Sequence, residues 1–179
     1  LTLEMSTRLP ETEMRESLTG AQTLVNELMT RTRELSLDLR PATLDHLGLM
    51  SALLRHFRHY TSQTHIHVDF LQDGLEGRRF KPELETAAFR IVQEALTNVA
   101  RHSKAKRAII RIWANKESLT IDIEDNGLGF DTDAAFAAHQ SSGLAGMRER
   151  VLLTGGTFSI NSKNGQGTRL TADWQLGDD

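Results

Sequence analysis

Residues 118–130, "SLTIDIEDNGLGF", alternate apolar and polar through Leu119, Ile121 and Ile123, the two-residue period of a strand with one covered face. The run ends in Asp125 and Asn126, and then Gly127 and Gly129 bracket Leu128 ahead of Phe130. A carboxylate closing a buried strand can accept a hydrogen bond from an amino group of a ligand, and glycines let backbone lie close to a flat ring. Asp-Asn-Gly is equally ordinary chemistry for a tight turn, so these residues alone leave both readings open.

Outward from that stretch, "RAIIRIWAN" (107–115) is a second strand, joined through Lys116-Glu117 in a hairpin-like turn. Upstream, "PELETAAFRIVQEALTNVARHS" (82–103) has helical spacing, with Pro82 at a suitable first position. Before it come a helix, "GLMSALLRHFRHYTSQT" (48–64), and a strand, "IHVDFLQD" (66–73), with a turn-rich connection, "DGLEGRR" (73–79). Downstream, residues 131–145 are small, polar and weakly periodic, and read as a mobile loop. A short helix, "GMRERVLLTG" (146–155), and strands "GTFSINSK" (156–163) and "GTRLTADWQL" (167–176) complete the pattern. The fold class is α/β: a two-layer α+β sandwich, a mixed sheet with helices on one face. Short turns between paired strands exclude a doubly wound parallel sheet.

The chain changes character at Pro41. Leu18, Ala21, Leu24, Val25, Leu28, Thr32, Leu35 and Leu39 recur at spacings of three and four, an amphipathic helix that Pro41 ends. Its apolar face needs another helix; "LTLEM" (1–5) reads as the tail of such a neighbour, with Pro10 in the turn. Residues 1–40 and 42–179 are therefore expected to be separate domains. At 179 residues and 39% hydrophobic content the chain can bury a full core, and its net charge of −3 argues against nucleic acid as the direct partner. It has no cysteine, hence no disulfide or thiolate site, and no run approaches the roughly 20 apolar residues of a membrane span. It begins with leucine, so a piece of a longer protein is expected, with any membrane attachment lying upstream.

Three further stretches carry chemistry. Glu94 and Asn98 in "QEALTNVARHS" are four apart, on one helix face, and offer a carboxylate and an amide oxygen, both hard donors suited to Mg²⁺ or its water. A solvated polar pair is the bland alternative, tempered by the apolar Ile91, Val92, Ala95, Leu96 and Val99 around it. Gly143 and Gly146 in "GLAGMRER" lead towards a helix whose amides can bind phosphate, or form a plain loop junction. Gly165, Gly167 and Thr168 in "NGQGTRL" can equally be a hairpin turn. His59, His65 and His67 lack a third ligand at convincing spacing and read as surface or core residues. Trp113 and Trp174 are assigned to packing on strands. No P-loop, Rossmann fingerprint or nucleophile elbow is present.

In order and spacing the four stretches resemble the ATP-binding domain of sensor histidine kinases, within the superfamily of gyrase, heat-shock chaperone and mismatch-repair ATPases. "QEALTNVARHS" resembles the N box, "DNGLGF" and "GLAGMRER" the first and second glycine boxes, and "GQGT" the last glycine-threonine element, together covering roughly residues 42–179. "RELSLDLRPATLDHLGLMSAL" resembles the join between dimerisation helix and ATPase domain in kinases serving LuxR-type response regulators, such as nitrate/nitrite sensors.

The resemblance implies a Bergerat-type ATPase fold preceded by a long dimerisation helix, with ATP and Mg²⁺ as cofactors. It implies that Asn98 coordinates Mg²⁺ and that Glu94 orients water or assists proton removal from an attacking histidine. Asp125 would accept the adenine amino group, with Gly127 and Gly129 passing the base and Gly167 and Thr168 backing the contact. Gly143 and Gly146 would shape a lid hinge and present amides to phosphate, with a lid between Phe130 and Gly143; Arg101, His102 and Lys104 are phosphate-contact candidates. Implied partners are a second copy through helix 11–40 and a response regulator with receiver and LuxR-type DNA-binding domains, in the cytoplasm. The subfamily's phosphoacceptor motif resembles "RELHD", which none of the seven histidines matches, so this chain is expected to bind ATP without phosphorylating itself. Rivals are an anti-sigma-factor-like serine kinase, disfavoured by "LSLDLRP", and a non-catalytic nucleotide-sensing dimerisation module, disfavoured by Glu94 together with Asn98.

Overall fold

The computed structural model describes residues 42–132 and 142–177. The helix expected over 11–40, with the dimerisation expected of it, lies outside these residues, as does the 133–141 part of the expected loop.

Helix α1 spans Ala42–Thr64, starting before the Gly48 at which periodicity places it; Gly48 breaks the helix with φ 77° and ψ 178°. Leu44 and Leu49, either side of the break, are both fully buried, so the kink keeps the two segments facing one core. Arg79 ties this region to the next helix: Nη2 donates to the Asp45 carbonyl at 3.2 Å, and Nε to Glu85 at 2.9 Å. Strand β1 (His67–Asp73) follows, and then α2 (Pro82–Asn98), whose start is completed by buried Glu85 accepting the Phe80 N–H at 3.0 Å. The chain beyond Asn98 does not stop but widens into a π-helical turn, Val99–Ser103, closed by Lys104 at φ 56°.

Strands β2 (Arg107–Ala114), β3 (Ser118–Asp125), β4 (Gly156–Ser162) and β5 (Thr168–Gln175) complete a five-stranded sheet of order β1-β2-β3-β5-β4. The β1–β2 pair is parallel, as a crossover through α2 demands, and the remaining pairs are antiparallel. At the β2–β3 turn the Asn115 Oδ1 accepts the Glu117 and Ser118 N–H groups, both at 2.8 Å. Helix α3 covers Ser142–Leu153, so the expected loop is already helical at Ser142 and Gly143 and Gly146 lie inside the helix rather than ahead of it.

Period-two alternation puts Ile110 and Ile112, Leu119 and Ile121, and Leu170 and Ala172 on one sheet face, in a single core with apolar residues of all three helices. The result is two layers, a mixed sheet with helices on one face, as expected. On the other face Asp122 is only 1% exposed, because Arg111 and Arg169 close over it at 2.8 and 2.7 Å. Trp174 packs in the core and donates to Thr154 Oγ1 at 2.9 Å. Trp113 does not match its packing assignment: it points to the outer face of β2 and is 43% exposed.

Candidate functional site

The second half of α2, its π-helical extension, the end of β3, the start of α3 and the start of β5 border one cavity of about 440 Å³. Glu94, Asn98, Arg101, His102, Asp125, Gly129, Gly143 and Thr168 all line it, so side chains from distant parts of the sequence converge. Glu94 and Asn98 reach it from one face of α2, as their spacing requires. The wider π-helical turn carries Arg101 and His102 onto the same cavity, while Lys104, in the left-handed turn that ends it, is not part of the lining.

Asp125 is 9% exposed. Burial pushes its carboxyl above the usual range, while the Gly127 amide and the Thr168 hydroxyl oppose that rise. Its Oδ1 accepts the Gly127 N–H at 2.8 Å, and Thr168 is its cross-strand partner on β5. Gly127 stands where a Cβ would meet the Ser103 carbonyl at 2.3 Å. At Gly129, φ is 59° and a Cβ would lie 2.0 Å from the Lys163 carbonyl; at Gly167, φ is 73° and a Cβ would lie 2.0 Å from the Asp125 carbonyl. Only glycine suits positions with both constraints. Gly127 and Gly167 thus pack behind Asp125 without lining the cavity, and Gly146, within α3, faces the Arg150 side chain instead.

Ala95, Val99, Ile123, Met147, Ile160 and Leu170 give the cavity an apolar wall. The whole offers a buried acceptor for an amino group, an apolar surface for a flat ring, and oxygen donors and cations for a polyanion with a hard metal ion. Two serines escaped the sequence reading. The Ser103 carbonyl accepts the Leu128 N–H at 2.7 Å, tying the glycine loop to the end of α2. Ser162 Oγ accepts the Phe130 N–H at 2.9 Å, donates to the Gly167 carbonyl at 2.9 Å and lies 3.0 Å from Thr168 Oγ1. The one local sign of Ser162 is a hydroxyl at the inward position of a strand; its partners depend on the β4–β5 register.

Residues 83–178 match the family described as histidine kinase-, DNA gyrase B- and HSP90-like ATPase. The signal transduction histidine-protein kinase/phosphatase DegS of Brevibacillus brevis is 38% identical over 147 residues, 82% of this chain and 37% of that protein. The oxygen sensor histidine kinase NreB of Staphylococcus carnosus is 32% identical over 155 residues, 87% of this chain and 44% of that protein. The chain thus spans less than half the length of these relatives. Among solved structures, the histidine kinase domain of the blue-light activated kinase EL346 from Erythrobacter litoralis aligns with TM-score 0.59 and 22% identity, over 72% of this chain and 61% of that one. Acinetobacter baumannii histidine kinase AdeS aligns with TM-score 0.55 and 15% identity, over 97% and 89%. At these identities the structural likeness is one of fold.

Proposed function

The chain belongs to the histidine kinase-, DNA gyrase B- and HSP90-like ATPase family, and from that premise we propose that its cavity binds ATP for phosphoryl transfer to histidine in two-component signalling. Residues 42–179 are the catalytic domain on this reading, and residues 1–40 a remnant of the helical dimerisation and phosphotransfer domain. The observation that supports it most is the convergence of Asp125 with Glu94 and Asn98 on one cavity.

Asp125 accepts the adenine amino group, the Gly127–Gly129 loop passes the ring, and Thr168 supports the carboxylate. Phosphoryl transfer asks mainly for positioning and charge stabilisation. Glu94 orients water or takes the proton of the attacking imidazole, and Arg101 and His102 face the phosphates, with Lys104 a more remote contributor. Gly143, in the first turn of α3, offers its amide to phosphate, and Gly143 and Gly146 together give that end of the helix the backbone freedom of a hinge. The donor set suits Mg²⁺: Asn98 is its ligand and Glu94 lies on the same face, both hard oxygens. Among the described residues no group of three or more His, Asp or Glu side chains could hold a metal ion by itself. Bound there, Mg²⁺ offsets the charge of the triphosphate.

The kinase works as a homodimer through helix 11–40 and passes the phosphoryl group to a response regulator with a LuxR-type DNA-binding domain, in the cytoplasm. No described helix is long and apolar enough to cross a membrane. Calorimetry tests the reading: ATP binds with Mg²⁺ and in preference to GTP, and Asn98→Ala abolishes the Mg²⁺-dependent part of the affinity. Equal binding of ATP and GTP, or an unchanged affinity in Asn98→Ala, refutes the respective assignment.

A further inference from the structure

Glu94 on α2 and Gly143 in the first turn of α3 meet across the cavity in an unusual way. A Cβ built on Gly143 would lie 2.3 Å from Glu94 Oε1 and 3.3 Å from its Cδ. The carboxylate therefore occupies the space that any other residue at position 143 would fill. No hydrogen bond or ion pair to a described residue holds that carboxylate. Among the described residues, then, no polar partner anchors this acid, and what confines its end is the bare Cα of Gly143.

We propose that Gly143 is a positioning residue for Glu94: its missing side chain forms the slot that fixes where the carboxylate points within the cavity. This rests on the reading of the cavity as a phosphoryl-transfer site. Gly143 has no positive φ, so alanine suits its backbone, and in a helix alanine is intrinsically favoured over glycine. The atom a methyl group would displace is the free end of the Glu94 side chain, not backbone. Alanine at 143 is thus accommodated by the fold at the expense of the acid's position, and misplacing a reacting group by an ångström costs about 10- to 100-fold in rate.

The test is a double-mutant cycle on Gly143→Ala and Glu94→Asp in the full-length protein, reading autophosphorylation kcat, KM for ATP, ADP affinity and Tm. For Gly143→Ala alone, kcat falls about 10- to 100-fold. KM and ADP affinity stay within about threefold, under 1 kcal/mol, and Tm is unchanged or higher. The shorter acid of Glu94→Asp vacates the slot, so adding Gly143→Ala to it costs less than about threefold more; the two effects are strongly non-additive. Wild-type kcat in Gly143→Ala, multiplying effects in the double variant, or a lowered Tm that accompanies the loss each overturns the proposal. Failure of the wild type to bind ATP at all overturns the nucleotide reading instead, so the two failures are separable.

Discussion

Burial raises the proton affinity of Asp125, and the Gly127 amide and Thr168 hydroxyl only partly offset it. A carboxyl whose folded pKa lies above its unfolded value favours the folded state when protonated, and that contribution is lost as pH rises through the carboxylate range. The ionised group is therefore a cost to the empty domain at neutral pH. Asp125→Asn removes it, so the ligand-free variant is expected to unfold at the same or a higher temperature at pH 7. Asparagine still accepts the Gly127 N–H but turns an amide donor towards the ligand's amino group, and ATP affinity should fall about 100-fold. Calorimetry between pH 4.5 and 7 should also show wild-type affinity declining on acidification from a higher pH than an ordinary surface carboxylate would give. Ser162 makes a different demand: Ser162→Ala leaves the Phe130 N–H and the Gly167 carbonyl without their partner. A loss of about 1–3 kcal/mol in urea unfolding is expected, with weakened ATP binding, since both glycine-rich loops lose their shared anchor. Glu94, Asn98 and Asp125 were legible as candidates because four motifs agree in order, each alone leaving a plain turn or a solvated pair open. Ser162 and Ser103 were not, because their partners come from strand register and from a helical turn of unexpected width.

Where α1 meets α2, His56 packs edge-on to Phe89 at 5.6 Å, and its Nε2 is buried without a partner. Burial first, and the neighbouring His59 second, lower its pKa to about 4. The unfolded chain takes up this proton near pH 6.5 and the folded one resists until about 4, so the stability present above 6.5 drains away across that window. The span corresponds to something on the order of 3 kcal/mol. His56→Leu, of similar volume and no charge, should flatten the urea-unfolding free energy between pH 6.5 and 4; an equally steep profile in the variant would rule out His56 as its source. Elements were read well wherever periodicity was long: α2, β2 and β3 lie within a residue or so of expectation, apart from the π-helical extension. Helix α3 begins earlier than expected because two glycines argue locally against a helix. Packing of Met147 and Val151 in the core overrides that preference.

The cavity as a whole joins α2, β3, α3 and β5, so nucleotide binding should stabilise the entire domain and not one loop. At a free ATP concentration 100 times Kd the gain is about 2.7 kcal/mol, read as a rise in Tm that grows with Mg²⁺ and is smaller for GTP. Incubation with radiolabelled ATP should leave this chain unlabelled, and label appearing on it would show that one of its own histidines is the acceptor. Two layers and a mixed sheet were legible from alternating helices and strands. That β1 pairs parallel to β2, and that Trp113 faces outward opposite Asp73, follow from strand order, which no local pattern encodes.

The five residues Val99–Ser103 wind one residue wider than the helix they prolong. Such a bulge is what a single inserted amino acid leaves behind in a regular helix, and it can be undone by removing one. Deleting Ala100 would tighten the coil to ordinary α-helical width, four residues then sweeping roughly the arc that five sweep here. The extra width that carries Arg101 and His102 onto the cavity would be lost. One surplus peptide unit thus lets two neighbouring cationic side chains and a loop-holding carbonyl leave the same turn.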